Sequence, residues 1–208
     1  NYVDEFPGIK NNLRIMERNT NRLINMANQI LDFREAEVKA FSLQFEKINI
    51  AELLQEIHTS FKPLAEQHNL QYFLELPARE FIIDADSDSI QKILGNLYSN
   101  AIKYASKKVY VRFVPMEEEN KFRIEISNDG FIIPYELKDK IFEPFFRVRE
   151  TSVQKGTGIG LAISKTLAEL HDGKIMLKEP ADNMNTFVLE LQIHNLKKVD
   201  PKPEPFIT

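Results

Sequence analysis

Lys155-Gly156-Thr157-Gly158-Ile159-Gly160-Leu161-Ala162-Ile163 carries three of the seven glycines of the chain within five residues. Positions without a Cβ adopt positive φ readily and let backbone N–H groups approach an anionic ligand, and the apolar Leu161-Ala162-Ile163 that follows opens a helix. Read alone, the stretch is either a phosphate-binding turn or a tight loop. Neither common glycine grammar fits it. No Gly-Lys-Ser/Thr closes it as a P-loop, and the Gly156, Gly158, Gly160 pattern lacks both the dinucleotide spacing and a preceding strand.

Upstream, Asp86, Ser87 or Asp88 can cap a helix that turns Ile90, Ile93, Leu94, Leu97, Ala101 and Ile102 inward. On its other side Asn96, Asn100 and Lys103 fall at i, i+4 and i+7, so one face presents two amides and an ammonium, bordered by Tyr104. Amide oxygens suit Mg²⁺, which keeps waters and shares its coordination with substrate phosphates, and a lysine meets the same phosphates. The pattern by itself reads first as a solvated helix flank, and its context in the chain turns the reading to a metal-phosphate surface.

Around these two stretches the chain alternates helix and strand signals. Ile9, Leu13, Met16, Thr20, Leu23, Ala27 and Ile30 alternate spacings of four and three, the period of a bundle seam, and Ile24, Leu31 and Val38 form a second line seven apart. So wide a stripe predicts a four-helix arrangement, completed by dimerisation or by a companion helix; the alternative is a helix lying on its own domain. Residues 42–48 read as a strand, and Ile50, Leu53, Leu54, Ile57, Phe61 and Leu64 as a helix. Residues 71–76 and 80–84 read as a hairpin split by Pro77, and 108–115 with 121–127 as a second hairpin around a charged turn. Residues 128–155 are irregular; the glycines lead into a helix to about His171, and strands at 174–178 and 186–193 follow. Strands and helices mixed without βαβ regularity predict an α+β fold. It should be a two-layer α/β sandwich, a mixed and mostly antiparallel sheet covered by helices on one face, preceded by a long bundle-forming helix. The expected division is 1–40 for the bundle region, 41–196 for the sandwich and 197–208 for a Pro- and Lys-containing linker or tail.

Composition narrows the partners. The 208 residues suffice for one or two domains, and 43% hydrophobic with 28% charged residues predicts a packed core. A net charge of −4 without a Lys/Arg cluster disfavours nucleic acid, and the absence of cysteine excludes disulfides and thiolate metal sites. No apolar run reaches membrane-spanning length, and a start at Asn1 without methionine or signal-like segment suggests a piece of a longer chain, whose membrane anchorage stays open.

The chain resembles the sensor histidine kinases of the wider gyrase, Hsp90, kinase and MutL ATPase superfamily. Ile93-Leu94-Gly95-Asn96-Leu97-Tyr98-Ser99-Asn100-Ala101-Ile102-Lys103-Tyr104 looks like their N box, Ile141-Phe142-Glu143-Pro144-Phe145-Phe146-Arg147 like the F box and 156–161 like the second glycine box. Asn128-Asp129-Gly130-Phe131-Ile132-Ile133-Pro134 takes the place of the first glycine box and Asn185-Thr186-Phe187 that of the last. Arg18-Asn19-Thr20-Asn21-Arg22-Leu23 and Ile30-Leu31-Asp32-Phe33 are similar to the second helix of the family's dimerisation and phosphotransfer hairpin.

The resemblance implies ATP and Mg²⁺ as ligands, with Asn100 on Mg²⁺, Asn96 and Lys103 as catalytic positions toward the triphosphate, and Tyr104, Asn128 and Gly130 beside the base. Residues 135–155 become a mobile lid anchored by Phe142, Phe145 and Phe146, with Arg147, Arg149 or Lys155 reaching the phosphates. Gly156, Thr157, Gly158, Gly160 and Leu161 line the nucleotide, with the amides of Gly158 and Gly160 on phosphate oxygens. The implied function is that of the ATP-binding catalytic fragment of a two-component sensor histidine kinase, positioning Mg-ATP for γ-phosphoryl transfer to a histidine outside this sequence. The implied partners are a second copy through the N-terminal helix and a response regulator or receiver domain, and the implied location is cytoplasmic, in a parent of the bacterial inner membrane. A degenerate nucleotide-sensing module and an ATP hydrolase are the alternatives; gyrase and Hsp90 relatives carry a glutamate base at the position of Asn96, so the amide favours transfer.

Two departures bear on this expectation. The first glycine box usually begins with Asp, an acceptor for the adenine amino group, and here Asn128 stands there with Ile132 in place of the second glycine, which predicts weakened ATP binding. His58 with Pro63 imitates the phosphoacceptor spacing, but Thr59 supplies no carboxylate and Leu54 and Phe61 are apolar, so His58 reads as a packing histidine. His68, His171 and His194 carry no motif.

Overall fold

A computed structural model of the protein describes residues 11–17, 19–20, 23–24, 27, 31, 43–77, 80–149 and 156–193. The described residues before 43 are helical, and Leu13, Met16, Leu23, Ile24 and Leu31 along the expected stripe are 48–67% exposed. Ile9, Ile30 and Val38 of that stripe, and the tail 197–208, lie outside the described residues.

From residue 46 the order is β1 (Glu46–Asn49), α1 (Ile50–Gln67), β2 (Gln71–Glu75), β3 (Ile82–Ala85), α2 (Ser87–Tyr104), β4 (Lys108–Met116), β5 (Lys121–Asn128), α3 (Gly160–Leu170), β6 (Lys174–Leu177) and β7 (Asn185–Gln192), with short 3₁₀ turns at Tyr135–Leu137 and Lys140–Phe142 between β5 and α3. Five strands form one sheet in the order β2-β4-β5-β7-β6, antiparallel throughout except β2 with β4. Strict alternation explains why one face is covered: Val109, Val111 and Phe113 on β4, Phe122, Ile124 and Ile126 on β5, and Phe187, Leu189 and Leu191 on β7 all point to the same side. They share a core with Ile50 and Leu54 of α1, Ile90, Ile93, Leu94 and Leu97 of α2, and Ile163 and Leu167 of α3. This is the expected two-layer α+β sandwich.

The opposite face carries a cluster of paired charges beside the stacked rings of Phe73 and Tyr110. Glu125 accepts from Arg112 at 2.7 Å and from Lys178, and Glu190 from Arg123 at 2.7 Å and Lys174 at 3.2 Å. Burial pulls both carboxyls up, and these cations outweigh it, so both titrate below the usual carboxylate range.

Three expectations are corrected. Residues 71–76 and 80–84 form no hairpin: β2 runs parallel to β4, with β3 and α2 in the crossover, and β3 pairs antiparallel with β1 in a separate ribbon. The link holds Pro77 and no Asn-Gly or Asp-Gly turn pair, and Phe81 is instead held at the β1–α1 junction, its carbonyl accepting from Ile50 N–H at 3.0 Å. The strand expected over 42–48 begins only at Glu46; residues 43–45 belong to no strand or helix, and Ser42 lies outside the described residues. Leu64 is exposed, and Ala65 takes the buried position beside it.

His58 is a packing histidine, as expected. Its ring stacks on Tyr72 with centroids 3.9 Å apart and meets the edge of Tyr98 at 6.0 Å. Burial, with the Lys62 ammonium adding to it, lowers its pKa from 6.5 to about 4. The folded state thus favours the neutral ring: its contribution is complete above pH 6.5 and is lost as pH falls toward 4. Because the ring is half open to water, the loss should be on the order of 1 kcal/mol. Urea unfolding at pH 7 and pH 5 should show it, and His58→Phe should flatten that part of the pH dependence; an equal slope in the variant would refute the assignment.

Candidate functional site

Helix α2 is where the site begins. Asp86 caps it, accepting from Ser89 N–H at 2.7 Å, and its buried stripe fixes which face is left over for Asn96, Asn100 and Lys103. Asn96 Nδ2 donates to the Gly160 carbonyl at 3.2 Å and to Ser164 Oγ at 3.3 Å, joining the middle of α2 to the start of α3. At the other end, buried His171 donates from Nδ1 to the Leu167 carbonyl at 2.8 Å, and its Nε2 accepts from Asp86 N–H at 3.1 Å. The two helices are therefore antiparallel, and the last turn of α2, with Asn100, Lys103 and Tyr104, runs on beyond the first residue of α3 into the region of the glycine turn.

The glycines allow that approach. A Cβ at Gly156 would stand 2.9 Å from Lys103 Nζ, and one at Gly160 3.1 Å from Asn96 Oδ1. Gly158 has φ +77°, and its carbonyl accepts from Phe145 N–H at 3.0 Å. Thr157 Oγ1 accepts from Ile159 N–H at 3.4 Å, Leu161 packs on the core, and Ile159 offers no side-chain cap to α3. The N–H groups and the positive end of the helix dipole thus face the same space as Lys103, whose Nζ donates to Tyr104 OH at 2.8 Å. Such a surface can bind an anion bearing several oxygens.

At the end of β5, Asn128 lies between Val109 and Asn185 in the sheet. It is 3% exposed, and its Nδ2 has no hydrogen-bond partner among the described residues. Gly130 has no room for a side chain, because a Cβ there would overlap the Tyr104 carbonyl and approach Asn128 Nδ2 to 2.9 Å. Asp129 does not substitute for the missing aspartate. Its Oδ1 accepts from the N–H groups of Ser106, Lys107 and Lys108 at 3.0, 2.8 and 2.9 Å, closing the turn between α2 and β4. Burial raises the pKa of this carboxyl, and the amides outweigh it, leaving it below the usual range.

The lid expectation is corrected in one respect. Phe142 is buried edge-on to Phe187 at 6.4 Å and Phe146 packs partly on the core, but Phe145 is 66% exposed at φ +66°. Its backbone meets Gly158, and that left-handed conformation turns the ring away from the core. Arg147 is half-buried and Arg149 exposed, while Lys155 lies outside the described residues, as does the rest of 150–155.

Sequence reasoning missed three residues that shape the site. Asn185, 2% exposed, accepts from Ile133 N–H at 2.8 Å and donates to the Phe131 carbonyl at 2.9 Å, so it clamps the loop bearing Ile132. His171 and Asp129 are the others. Asp129 stands in the stretch matched to the first glycine box and Asn185 in that matched to the last, but neither match gives the residue its role, and His171 carries no motif.

Residues 85–195 match the family described as histidine kinase-, DNA gyrase B- and HSP90-like ATPase. The chain belongs to this ATPase family. It is 34% identical over 170 residues to histidine kinase P4 of Formosa agariphila and 32% identical over 167 residues to the sensor histidine kinase WalK of Bacillus subtilis, covering 79% and 78% of this chain. It spans 12% and 27% of those relatives' lengths. Among solved structures it is similar to the catalytic domain of histidine kinase ThkA, at 31% identity and a TM-score of 0.64, covering 73% of this chain and 99% of that one. The ATPase family's mostly antiparallel sheet with helices on one face is the fold described above.

In this ATPase-family chain the glycine contacts make a sharp contrast. Gly130→Ala should cost about 3 kcal/mol of stability because the Cβ meets a fixed carbonyl. Gly95→Ala, where nothing stands within 4 Å of the added carbon on α2, should gain about 0.5–1 kcal/mol. Thermal melting of the two variants checks both signs.

Proposed function

We propose that this chain is the ATP-binding catalytic part of a sensor histidine kinase, which positions Mg-ATP for transfer of the γ-phosphoryl group to a histidine lying outside the sequence. The observation that carries the reading is the apposition of the glycine turn and the start of α3 to the amide-and-lysine face of α2. The donor set fits a triphosphate with a cation: backbone N–H groups, one ammonium and neutral amides supply positive or neutral partners only. Among the described residues no group of three His, Cys, Asp or Glu forms a protein-only metal cage, which suits an Mg²⁺ shared with phosphate and held on the protein side by Asn100.

Within this reading Lys103 and the amides of Gly158 and Gly160 hold phosphate oxygens, joined by Arg147 and Lys155, while Gly156, Thr157 and Leu161 line the site. Tyr104, Asn128 and Gly130 stand at the base. Bound Mg²⁺ contributes charge neutralisation of the phosphates. Asn96 is committed to Gly160 and Ser164 and, being an amide, takes no proton from water, which favours transfer over hydrolysis. Residues 1–40 are assigned to part of a dimerisation and phosphotransfer region, the second helix of its hairpin, supported by the exposed stripe, 41–196 to the catalytic domain and 197–208 to a linker or tail. A response regulator or receiver domain is the proposed acceptor partner; the ThkA kinase, 28% identical here, is known in complex with the response regulator TrrA. No helix among the described residues is long and apolar enough to cross a membrane. A cytoplasmic position within an inner-membrane parent is proposed from the resemblance.

Calorimetry should show Mg-ATP binding in the micromolar-to-millimolar range, weakened about tenfold by Lys103→Ala. A longer chain carrying the upstream helix should yield phosphohistidine. No heat at millimolar Mg-ATP would sink the nucleotide assignment. Binding without phosphohistidine would indicate a nucleotide-sensing module, and sustained phosphate release by this chain alone a hydrolase.

A further inference from the structure

Ser164 lies one turn into α3, beyond the glycine stretch, and its side chain is fully buried. Its hydroxyl carries a single proton and donates it to the Gly160 carbonyl at 3.0 Å, four residues back along the helix. Towards Asn96 Nδ2, 3.3 Å away, it is therefore an acceptor only. The Gly160 carbonyl, 3.2 Å from the same nitrogen, can do nothing but accept. Two acceptors side by side leave one way for the amide to sit. Its NH₂ must face α3, one hydrogen to each, because the opposite sense would set Oδ1 against the Gly160 carbonyl with no proton between them.

With both hydrogens of Nδ2 placed, what Asn96 has left is Oδ1. Among the described residues nothing donates to that oxygen. It stands 3.1 Å from where a Cβ of Gly160 would be, in room that the glycine leaves. A fixed amide oxygen without a donor is a partner for a cation or for water bound to one, and it repels phosphate oxygens. Asn100, one turn further along the same face of α2, has no hydrogen-bond partner among the described residues, so its amide is free to turn.

We propose that Ser164 is a positioning residue: together with the Gly160 carbonyl it holds the Asn96 amide with its oxygen forward, so that Asn96 serves the bound cation and not the phosphate oxygens. The proposal rests on the nucleotide assignment above and specifies which ligand Asn96 meets and what makes it do so. The hydroxyl touches no ligand. It keeps ready an acceptor that would otherwise have to be turned and held as the cation binds.

ATP affinity of the 208-residue chain, measured in saturating Mg²⁺ and again with EDTA in its place, separates the two ligands. Ser164→Ala removes the hydroxyl and adds no volume; it should cut the gain that Mg²⁺ brings to ATP binding by about tenfold. The affinity in EDTA should stay within about twofold of wild type. Ser164→Thr, which keeps a hydroxyl, should retain the gain, and Ser164→Val, of the same shape without the hydroxyl, should not. In an Asn96→Ala background the three variants should no longer differ, because the hydroxyl acts through Asn96. An unchanged Mg²⁺ gain in Ser164→Ala, an equal loss with and without Mg²⁺, or a wild type whose ATP affinity is the same in both conditions would overturn the proposal. Hydrogen exchange of the Asn96 side-chain NH₂, followed by NMR, reads the hold without any nucleotide. It should be protected in wild type and about tenfold faster in Ser164→Ala, and wild-type hydrogens exchanging like those of a free amide would also overturn the proposal. If the wild type binds no nucleotide under either condition, the nucleotide assignment fails and the cation role with it, while the exchange measurement still decides what holds the amide. Wild type and Ser164→Ala settle the matter if the extra methyl of the other two variants prevents folding.

Discussion

Asn96 donates from the middle of α2 to the first carbonyl and the first hydroxyl of α3, and His171 ties the far ends of the same two helices together. Pinned at two levels about ten residues apart, the helices have little freedom to slide. The consequence is local: the uncapped start of α3 is held under the last turn of α2, and the glycine turn must pass through the narrow space between Lys103, Asn96 and the backbone of Phe145. Side chains at Gly156, Gly158 or Gly160 would close that space.

The site is built with few fixed negative charges. Asp129, next to Asn128, has its charge absorbed by three backbone amides, and the buried carboxylates of the sheet lie on the opposite face with their cations. What the glycine turn meets on α2 is the Lys103 ammonium and the Asn96 amide. An anion is favoured there by electrostatics.

Much of this was legible in the residues themselves. The stripe of α2, the β4–β5 hairpin, the end strands and the glycine turn all obey local periodicity or turn chemistry, which act over a few neighbouring residues. The pairing of β2 was not legible, because a parallel partner is reached only through a crossover and its choice depends on which edge the core leaves free. Phe145 was misjudged for a similar reason. An aromatic residue in an apolar motif reads as core, and only the hydrogen bond of its N–H to Gly158 reveals the left-handed backbone that exposes it.

The sequence by itself determined the class of fold and the chemical inventory: three glycines, two amides and a lysine at helical spacing, and an amide where relatives of the resembled family carry a carboxylate. Tertiary structure alone decided which of these meet. Asn185 and Asp129 carry no periodic signal, since each acts by hydrogen-bonding backbone groups 21 to 54 positions away, and such partners exist only once the sheet has set its register. The Nδ2 of Asn128, without a hydrogen-bond partner among the described residues, has the same origin: the amide is a local fact, and its isolation is a property of the packed core around it.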